Sequence, residues 1–355
     1  MDEKLKILVV VTTFPAITET FILNQITDLI DRGHDVTVFT YNSSPDKIEH
    51  PLYRAYHSRF QTVTHFKNKL GLFGKTKAFF SFFTKHFWDI SWSKVLKLIF
   101  SFSIKRWKVY YDLPVLLFKK NFDIIHVHFG FNGKKMTDAL QMKLATPQRF
   151  VVSFHGSDLT PSKVDFYKTL YASLFKRVDW VTVNSPYLRD VLLRVCPGFN
   201  RYSLLPEGFK VEVLSPFLQQ KKTSRRFEIV YCGRLIGWKG PDRAVKIVHE
   251  LKKRGYEKVL LHLIGQGELY EKIADYIKEN NLDSQVKMHG AITQNRVFEL
   301  MSRSQAFLLP GIAEAGTNRV EAQGLVIQEA QYFKLPVVVS DTGGSKYGFL
   351  DGETG

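Results

Sequence analysis

Short apolar runs alternate with amphipathic segments along the whole chain. Lys6–Val11 is a continuous run rich in β-branched residues, which is typical of a parallel strand covered on both faces. Thr18–Ile30 then carries apolar residues at helical spacing, Gly33 can end that helix, and Asp35–Thr40 predicts the next strand. The chain therefore begins with a βαβ unit, and such units bind ligands beyond the carboxyl ends of their strands.

The same alternation continues to the end of the sequence. Further strands are predicted at 122–128, 150–154, 180–183, 202–205, 227–232, 259–264, 286–289, 306–309 and 336–340. Strands that alternate with helices in this way imply a parallel sheet in each half of the chain. We predict an α/β protein with two Rossmann-like domains, at residues 1–208 and 227–355, joined by the polar linker 209–226.

The bulk composition fits two globular domains, because 355 residues with 45% hydrophobic content can bury two cores. The formal net charge of +16 predicts attraction to a polyanion, which could be nucleic acid, anionic lipid or an anionic substrate. Cys196 and Cys232 have neither metal-ligand nor CxxC spacing, so we predict no disulfide framework and a reducing compartment. Since no apolar segment reaches the ~18 residues that span a bilayer, any membrane association would be peripheral.

The segment 66–120 differs from the rest of the chain. Its only acidic residues are Asp89 and Asp112, whereas Lys and Arg are frequent and helices such as Ser93–Trp107 are predicted. Its aromatic residues are concentrated at Phe79, Phe80, Phe82, Phe83, Phe87, Trp88, Trp92, Phe100, Phe102 and Trp107. This mixture is typical of an interfacial element among anionic headgroups. A helical insert that packs on the domain with a solvated basic face explains it equally well, and no nucleic-acid motif occurs here.

Two predicted strands end in histidine and glycine. His126 and His128 fall on one face of the strand before Gly130, and His155 follows the strand 150–154 directly. A zinc site at the first pair would need further convergent ligands, and the sequence specifies none. Because His155 lies between a strand and Gly156, we predict that it belongs to a binding site at the carboxyl edge of the sheet.

An anion site is predicted after the first strand of the second half. Gly233 and Arg234 follow that strand, Lys239 and Gly240 come next, and Pro241 opens a helix. The glycines allow close backbone approach, the helix N-terminus offers N–H groups, and the two cations suit a diphosphate. The later turn Gly265-Gln-Gly267 is only half of a dinucleotide fingerprint, since the third glycine is missing.

Two carboxylates, Glu321 and Glu329, lie eight residues apart with Gly324 between them. The first can lie in a loop after the strand 306–309, while the second lies in the first turns of the next helix. Carboxylates accept hydrogen bonds from vicinal hydroxyls, and Gly324 lets backbone N–H groups approach a sugar or phosphate oxygen. The alternative is a pair of solvated helix carboxylates.

The order of these motifs resembles that of the retaining glycosyltransferases of family 4, which have the GT-B fold of two Rossmann-like domains facing across a cleft. The exopolysaccharide and colanic-acid branch is the most similar. The resemblance covers nearly the whole chain, and the motifs that carry it are Thr13-Phe-Pro-Ala-x-Thr-Glu-Thr-Phe-Ile22, His126-Val-His-Phe-Gly130, Phe154-His-Gly-Ser-Asp158, Gly233-Arg-x4-Lys239-Gly, Ile264-Gly-Gln-Gly-Glu268, His289-Gly290, Glu321-x7-Glu329, Pro336-Val-Val and Gly343-Gly344 through Asp351-Gly-Glu-Thr-Gly355.

The resemblance implies a role for each matching residue. Arg234 and Lys239 would hold the donor diphosphate, and Glu329 would bind the ribose hydroxyls. Glu321 and the backbone of Gly324, Leu325 and Val326 would hold the transferred sugar. Across the cleft, His155 would face the reacting sugar, with Asp158 a second candidate in the same loop. The donor would be a UDP- or GDP-linked sugar, and no metal or other cofactor would be required.

We therefore expect an enzyme that transfers a sugar, with retention, from a nucleotide sugar to a lipid-linked saccharide at the cytoplasmic membrane face, in surface polysaccharide synthesis. The alternatives are an NDP-sugar epimerase or a phosphorylase of the same architecture, and a non-catalytic assembly subunit. The last of these is suggested by Glu207-Gly208, where relatives have Asn-Gly, and by Gln331-Tyr-Phe-Lys334 and Lys346-Tyr347. We also expect the chain to be truncated at its C-terminus, since the family continues beyond the motif that ends at Gly355.

Overall fold

A parallel β-sheet forms the centre of each of two compact units. The structure, a computed structural model, describes residues 3–16, 19–43, 51–65, 80–101, 103–218 and 224–355. The first unit contains the described residues up to 159, together with 163–183 and 192–205. The second contains 160–162, 184–191 and the described residues from 206 onward.

The first sheet has seven strands in the order β3-β2-β1-β4-β5-β6-β7, and every pair of neighbours is parallel. Residues 7–11 of the central strand β1 are almost fully buried, as the continuous apolar run predicts. The strands are β1 Lys6–Phe14, β2 Asp35–Ser43, β3 Gln61–Thr64, β4 Ile124–His128, β5 Arg149–Phe154, β6 Trp180–Val183 and β7 Tyr202–Leu204.

The second sheet has five parallel strands in the order β10-β9-β8-β11-β12. The strand order reverses at β8, so the ends of β8 and β11 lie side by side where such sheets bind ligands. The strands are β8 Phe227–Cys232, β9 Val259–Ile264, β10 Val286–Gly290, β11 Ala306–Leu309 and β12 Val337–Val339.

The α-helices connect successive strands. In the first unit they are α1 Thr20–Asp31, α2 Pro51–Tyr56, α3 Trp92–Phe100, α4 Ile104–Asp112, α5 Gly130–Gln141, α6 Val164–Arg177 and α7 Pro186–Val195, the last of which is shared with the second unit. In the second unit they are α8 Val211–Leu214, α9 Pro241–Lys253, α10 Tyr270–Glu279, α11 Gln294–Arg303 and α12 Leu325–Tyr332. The predicted fold class, with a parallel sheet in each half, is thus confirmed.

One predicted helix is wrong, because Ser93–Trp107 is broken into α3 and α4 rather than continuous. Serine side chains compete with the helix for backbone partners at the break. Ser101 donates its hydroxyl to Leu98 O at 2.7 Å, and Ser103 accepts from the backbone N–H of Arg106 at 3.4 Å as an N-cap.

The segment with helices α3 and α4 buries some of its side chains against the first unit and leaves other large apolar side chains in solvent. Val95 and Leu98 are buried, and the Lys94 ammonium donates to Leu116 O at 3.2 Å and to Phe118 O at 2.8 Å. We call the exposed apolar and basic residues of this segment the basic–aromatic surface. It consists of the exposed residues Phe80, Lys85, Phe87, Trp88, Trp92, Leu96, Lys97, Ile99, Phe100, Ile104, Lys105, Arg106, Trp107 and Lys108.

The predictions for residues 66–79 and for Phe102 lie outside the described residues. In the part of the chain that is described, no helix has the length and apolar character needed to cross a bilayer. The predicted linker 209–226 contains the short helix α8, whose Leu214 is buried in the core of the second unit.

Candidate functional site

The loop after β8 places two cations beside a buried indole. Its short 3-10 turn, Gly237–Lys239, brings the Trp238 ring under both side chains. The Arg234 guanidinium carbon lies 5.7 Å from the ring centroid, and the Lys239 Nζ lies 4.9 Å from it. Cation–π attraction therefore favours a position of both charges at the carboxyl end of β8.

The loop itself is fixed by Gly240 and Arg243. Gly240 has φ +77° and is the N-cap of α9, and a Cβ there would overlap the carbonyl oxygen of Pro310. Arg243 donates through Nε to Pro310 O at 2.8 Å and through Nη2 to Gly237 O at 2.6 Å. The sequence analysis did not identify Arg243, although a cation in the first turn of the helix after the predicted anion site could have indicated it.

The structure brings Lys239 and Glu321 into direct contact. The Lys239 ammonium donates to Glu321 Oε2, and the two side chains are only 17% and 16% exposed. The pair links the end of β8 to the loop after β11, over 82 positions of sequence. Removal of one partner of a partly buried ion pair destabilises the folded protein, because the other charge is left unpaired.

Close backbone packing holds the Glu321 loop. Gly344 donates its N–H to Glu321 O at 2.7 Å, and a Cβ at Gly344 would overlap the carbonyl oxygen of Ala322. The turn at Gly265 and Gly267 packs in the same way, since Cβ atoms there would overlap the backbone of the β8 loop. The half fingerprint at this turn thus has a packing explanation that requires no dinucleotide.

Gly324 begins helix α12 in the left-handed conformation, with φ +81°, and places Leu325 and Val326 in its first turn. One turn later, Glu329 is buried, and burial raises its pKa to about 7. Burial also raises the pKa of Cys232 to about 12, with a further contribution from the Glu329 carboxylate. Glu329 is therefore an interior group near the end of β8, and the alternative of a solvated helix carboxylate is wrong for it.

Gln323 is a second residue that sequence reasoning missed. Its side-chain oxygen accepts the Glu207 N–H at 2.6 Å, and its side-chain nitrogen donates to Glu207 O at 2.9 Å. Gln323 is buried, so this reciprocal pair satisfies an amide that would otherwise be costly. Both residues belong to the second unit, and the pair fixes the segment before Gly324.

In the first unit, the loop after β5 is organised around Asp158. Its Oδ2 accepts the Gly130 N–H at 2.7 Å, and its Oδ1 accepts the N–H groups of His155 at 3.0 Å and Gly156 at 3.1 Å. Burial raises the pKa of Asp158, while His155 and these hydrogen bonds oppose that effect. The carboxylate ties the loop to the start of α5 and thereby positions His155.

His126 and His128 lie on one face of β4, as predicted, and their rings stack at 4.6 Å. The Nε2 of His126 is 2.7 Å from Ser153 Oγ, and the Nδ1 of His128 is 3.0 Å from His155 Nε2. Within the described ranges, no group of three or more His, Cys, Asp or Glu residues could hold a metal ion.

The family comparison covers nearly the whole chain. Residues 18–213 match the model described as Glycosyltransferase Family 4, and residues 217–355 match the one described as Glycosyl transferases group 1. The amylovoran biosynthesis glycosyltransferase AmsK of Erwinia amylovora is 27% identical over 348 residues, which cover 93% of this chain and 81% of AmsK. WcaL of Escherichia coli K12, named for colanic acid biosynthesis, is 24% identical over 342 residues, 92% of this chain and 80% of WcaL.

The fold comparison agrees. The crystal structure of Anabaena HepE in complex with UDP and glucose matches with a TM-score of 0.66 at 15% identity, over 97% of this chain and 82% of HepE. Its likeness supports the GT-B architecture of two parallel-sheet domains. Together with the match over residues 18–213, it leads to one conclusion: the chain is a glycosyltransferase that belongs to family 4.

Proposed function

We propose that the protein transfers a sugar, with retention, from a nucleotide-sugar donor to a lipid-linked saccharide during the synthesis of a surface or extracellular polysaccharide. The contact between Lys239 and Glu321 carries the proposal, because the cation proposed to bind the diphosphate and the carboxylate proposed to bind the sugar hydroxyls meet at one end of a parallel sheet. The names of AmsK and WcaL support a role in polysaccharide synthesis, and the HepE complex supports a nucleotide sugar as the donor.

We assign the following roles to residues of the second unit. Arg234 and Lys239 bind the diphosphate, and Glu329 binds the ribose hydroxyls near the end of β8. Glu321, with the backbone of Gly324, Leu325 and Val326, holds the transferred sugar. These cations and the start of α12 stabilise the charge that develops on the leaving diphosphate, and in this proposal no metal ion is needed.

The roles in the first unit are proposed for the same reaction. His155 faces the transferred sugar, and Asp158 acts as a positioning residue that holds the His155 loop. For retention we propose a front-face step. The bond between the anomeric carbon and the diphosphate breaks, the acceptor oxygen bonds to that carbon, and the acceptor proton passes to the departing phosphate oxygen. The net products are the glycosylated acceptor and the nucleoside diphosphate.

A transfer assay tests the function. UDP-glucose, UDP-galactose and GDP-mannose, radiolabelled in the sugar, are incubated with the protein and a lipid extract from cells that make a surface polysaccharide. We expect one donor to release its nucleoside diphosphate with transfer of label into the lipid fraction, and the anomeric configuration of the product to match that of the donor. Conversion of a donor without an acceptor would favour an epimerase, and donor binding with no release of nucleoside diphosphate would favour a binding subunit.

The basic–aromatic surface supports the membrane part of the proposal. Trp88 and Ile104 are 83% and 86% exposed, which is unusual for large apolar side chains, and Lys97 and Arg106 lie on the same surface. Apolar side chains rimmed by cations match an anionic lipid surface, since the rings enter the headgroup layer and the charges remain at its edge. We propose that this surface docks on the inner face of the cytoplasmic membrane, close to a lipid-linked acceptor.

Vesicle co-sedimentation tests the docking surface. The double variant Lys97→Glu and Arg106→Glu is expected to bind phosphatidylglycerol vesicles at least about thirtyfold more weakly, since each cation near the surface contributes roughly 1 kcal/mol. The control is the double variant Lys272→Glu and Lys278→Glu on α10, which makes the same change in net charge on the second unit. Equal binding of the wild type to neutral and anionic vesicles, insensitive to about 0.5 M salt, would contradict electrostatic docking.

A further inference from the structure

A ladder of polar side chains, buried in β4 and β5, crosses three strands of the first sheet and ends at His155. In β4, β5 and β6, register pairs His128 with Ser153 and Ser153 with Thr182, so the side chains share one face. Ser153 Oγ lies 2.6 Å from Thr182 Oγ1 and 2.7 Å from His126 Nε2. His128 stacks on both His126 and His155, at 4.6 and 5.2 Å between ring centroids.

A single proton lies between the rings of His128 and His155. His128 Nδ1 lies 3.0 Å from His155 Nε2, so one ring nitrogen must donate and the other must accept. Burial and the neighbouring histidines hold the pKa of His128 well below its ordinary value, so this ring stays neutral and carries one proton. The question is which of its two nitrogens holds that proton.

The surroundings of the other ring nitrogen of His128 show which residue donates in this hydrogen bond. Its Nε2 is buried and has no hydrogen-bond partner among the residues that the structure describes. A buried N–H without an acceptor is rarer and more costly than a buried lone pair without a donor. The proton therefore belongs on Nδ1, where His128 donates to His155 Nε2, and a neutral His155 then carries its own proton on Nδ1.

We propose that His128 is a positioning residue that fixes both the ring orientation and the tautomer of His155. The Phe21 and Phe129 rings, with centroids 4.7 and 4.9 Å from that of His155, restrict the ring further. This inference rests on the proposed function for its consequence, since the orientation and tautomer of His155 matter to the reaction only where His155 faces the transferred sugar. An Nε2–H tautomer of His155 would lose the hydrogen bond from His128.

Nitrogen NMR of the histidine rings tests the tautomer without any substrate. In protein labelled with 15N-histidine, the His155 signals are assigned by their loss in His155→Gln. We expect Nδ1 of His155 to be protonated in the wild type and in His128→Asn, whose side-chain N–H can replace the Nδ1 donor. In His128→Leu the Nε2–H tautomer is expected to appear. His126→Leu is the matched control, because it removes a buried histidine from the same strand face without touching His155.

The wild-type spectrum overturns the inference if His155 is protonated on Nε2, and so does an equal effect of His126→Leu and His128→Leu on its tautomer. Thermal melts of all variants identify any that fail to fold, and His128→Asn then serves as the folded test.

The second readout is turnover with the radiolabelled donor that the wild type uses. For His128→Leu we expect kcat to fall at least about tenfold, with little change in KM for the donor and recovery in His128→Asn. Unchanged turnover in a His128→Leu protein with an altered tautomer would overturn the positioning role. If the wild type transfers no sugar but shows the expected tautomer, the proposed function fails while the assignment of the His128 proton stands.

Discussion

Replacement of Lys239 by methionine is expected to weaken the binding of a nucleoside diphosphate by about 30- to 160-fold. A charge-assisted hydrogen bond to phosphate contributes roughly 2–3 kcal/mol, which corresponds to that range. The loss is enlarged because Glu321, the partner of Lys239 in the structure, would remain as an uncompensated negative charge beside the diphosphate. Calorimetric titration with UDP and with GDP measures the effect on whichever nucleotide binds to the wild type.

Two further variants separate the effect of the Glu321 charge on nucleotide binding from the effect of the Lys239 charge. Glu321→Gln should bind the nucleoside diphosphate at least as tightly as the wild type but lose turnover of the sugar donor. The double variant with both Lys239→Met and Glu321→Gln should recover part of the affinity that Lys239→Met loses, since no unpaired carboxylate remains. Lys246→Met on the exposed face of α9 is the control for removal of a positive charge. Wild-type affinity in Lys239→Met would refute the assignment to the diphosphate.

The variant Glu329→Gln is expected to lose most donor affinity and, unusually for a buried substitution, to gain stability at alkaline pH. The carboxylate can accept hydrogen bonds from both ribose hydroxyls, whereas the amide offers one acceptor. Because burial raises the pKa of Glu329 to about 7, only about a tenth of the wild type carries the carboxylate at pH 6. Donor affinity should therefore rise about tenfold between pH 6 and pH 8, and this dependence should be absent in Glu329→Gln.

The effect of Glu329→Gln on stability has the opposite sign to its effect on donor affinity. The pKa of Glu329 in the folded state lies above the ordinary value of 4.5. The contribution of this group to the stability of the fold is therefore complete below pH 4.5, and it is lost as the pH rises through about 7. Above pH 7 the wild type bears the full cost of a buried charge, which is on the order of 3 kcal/mol. Glu329→Gln should thus melt at a higher temperature than the wild type at pH 8, with the difference vanishing near pH 4. A lower melting temperature for the variant at pH 8 would show that Glu329 is not destabilised by burial.

Much of the fold could be predicted from local pattern. The strands β6, β8, β9 and β11 agree with their predicted bounds, because continuous apolar runs bounded by polar turns leave little freedom in placing a buried parallel strand. The edge strand β3 was not predicted, since Val63 is the one apolar residue in its sequence Gln61-Thr-Val-Thr64 and no apolar run marks it. Hydrophobic spacing also joined α3 and α4 into one helix, because it does not register the serine caps that separate them.

The sequence could name the residues of the candidate site but not the contacts between them. Lys239 and Glu321 were identified separately, and their ion pair depends on β8 and β11 being neighbours in the sheet. Spacing along the chain carries no information about strand order across 82 positions. The contact of His128 with His155 has the same origin in the adjacency of β4 and β5. Buried side chains that act through backbone partners, such as Gln323 and Arg243, leave still less trace in a sequence.

The reciprocal hydrogen bonds between Gln323 and Glu207 have a practical consequence for dividing the protein. The sequence suggests a cut after Gly208, yet a fragment that starts there would lack Glu207 and leave the buried Gln323 amide without either backbone partner. Each unsatisfied polar group costs roughly 1–3 kcal/mol, and the cost falls on the turn that leads into Gly324. A second unit intended for separate expression should therefore begin upstream of Pro206, so that it includes Glu207, whose backbone holds the Gln323 side chain.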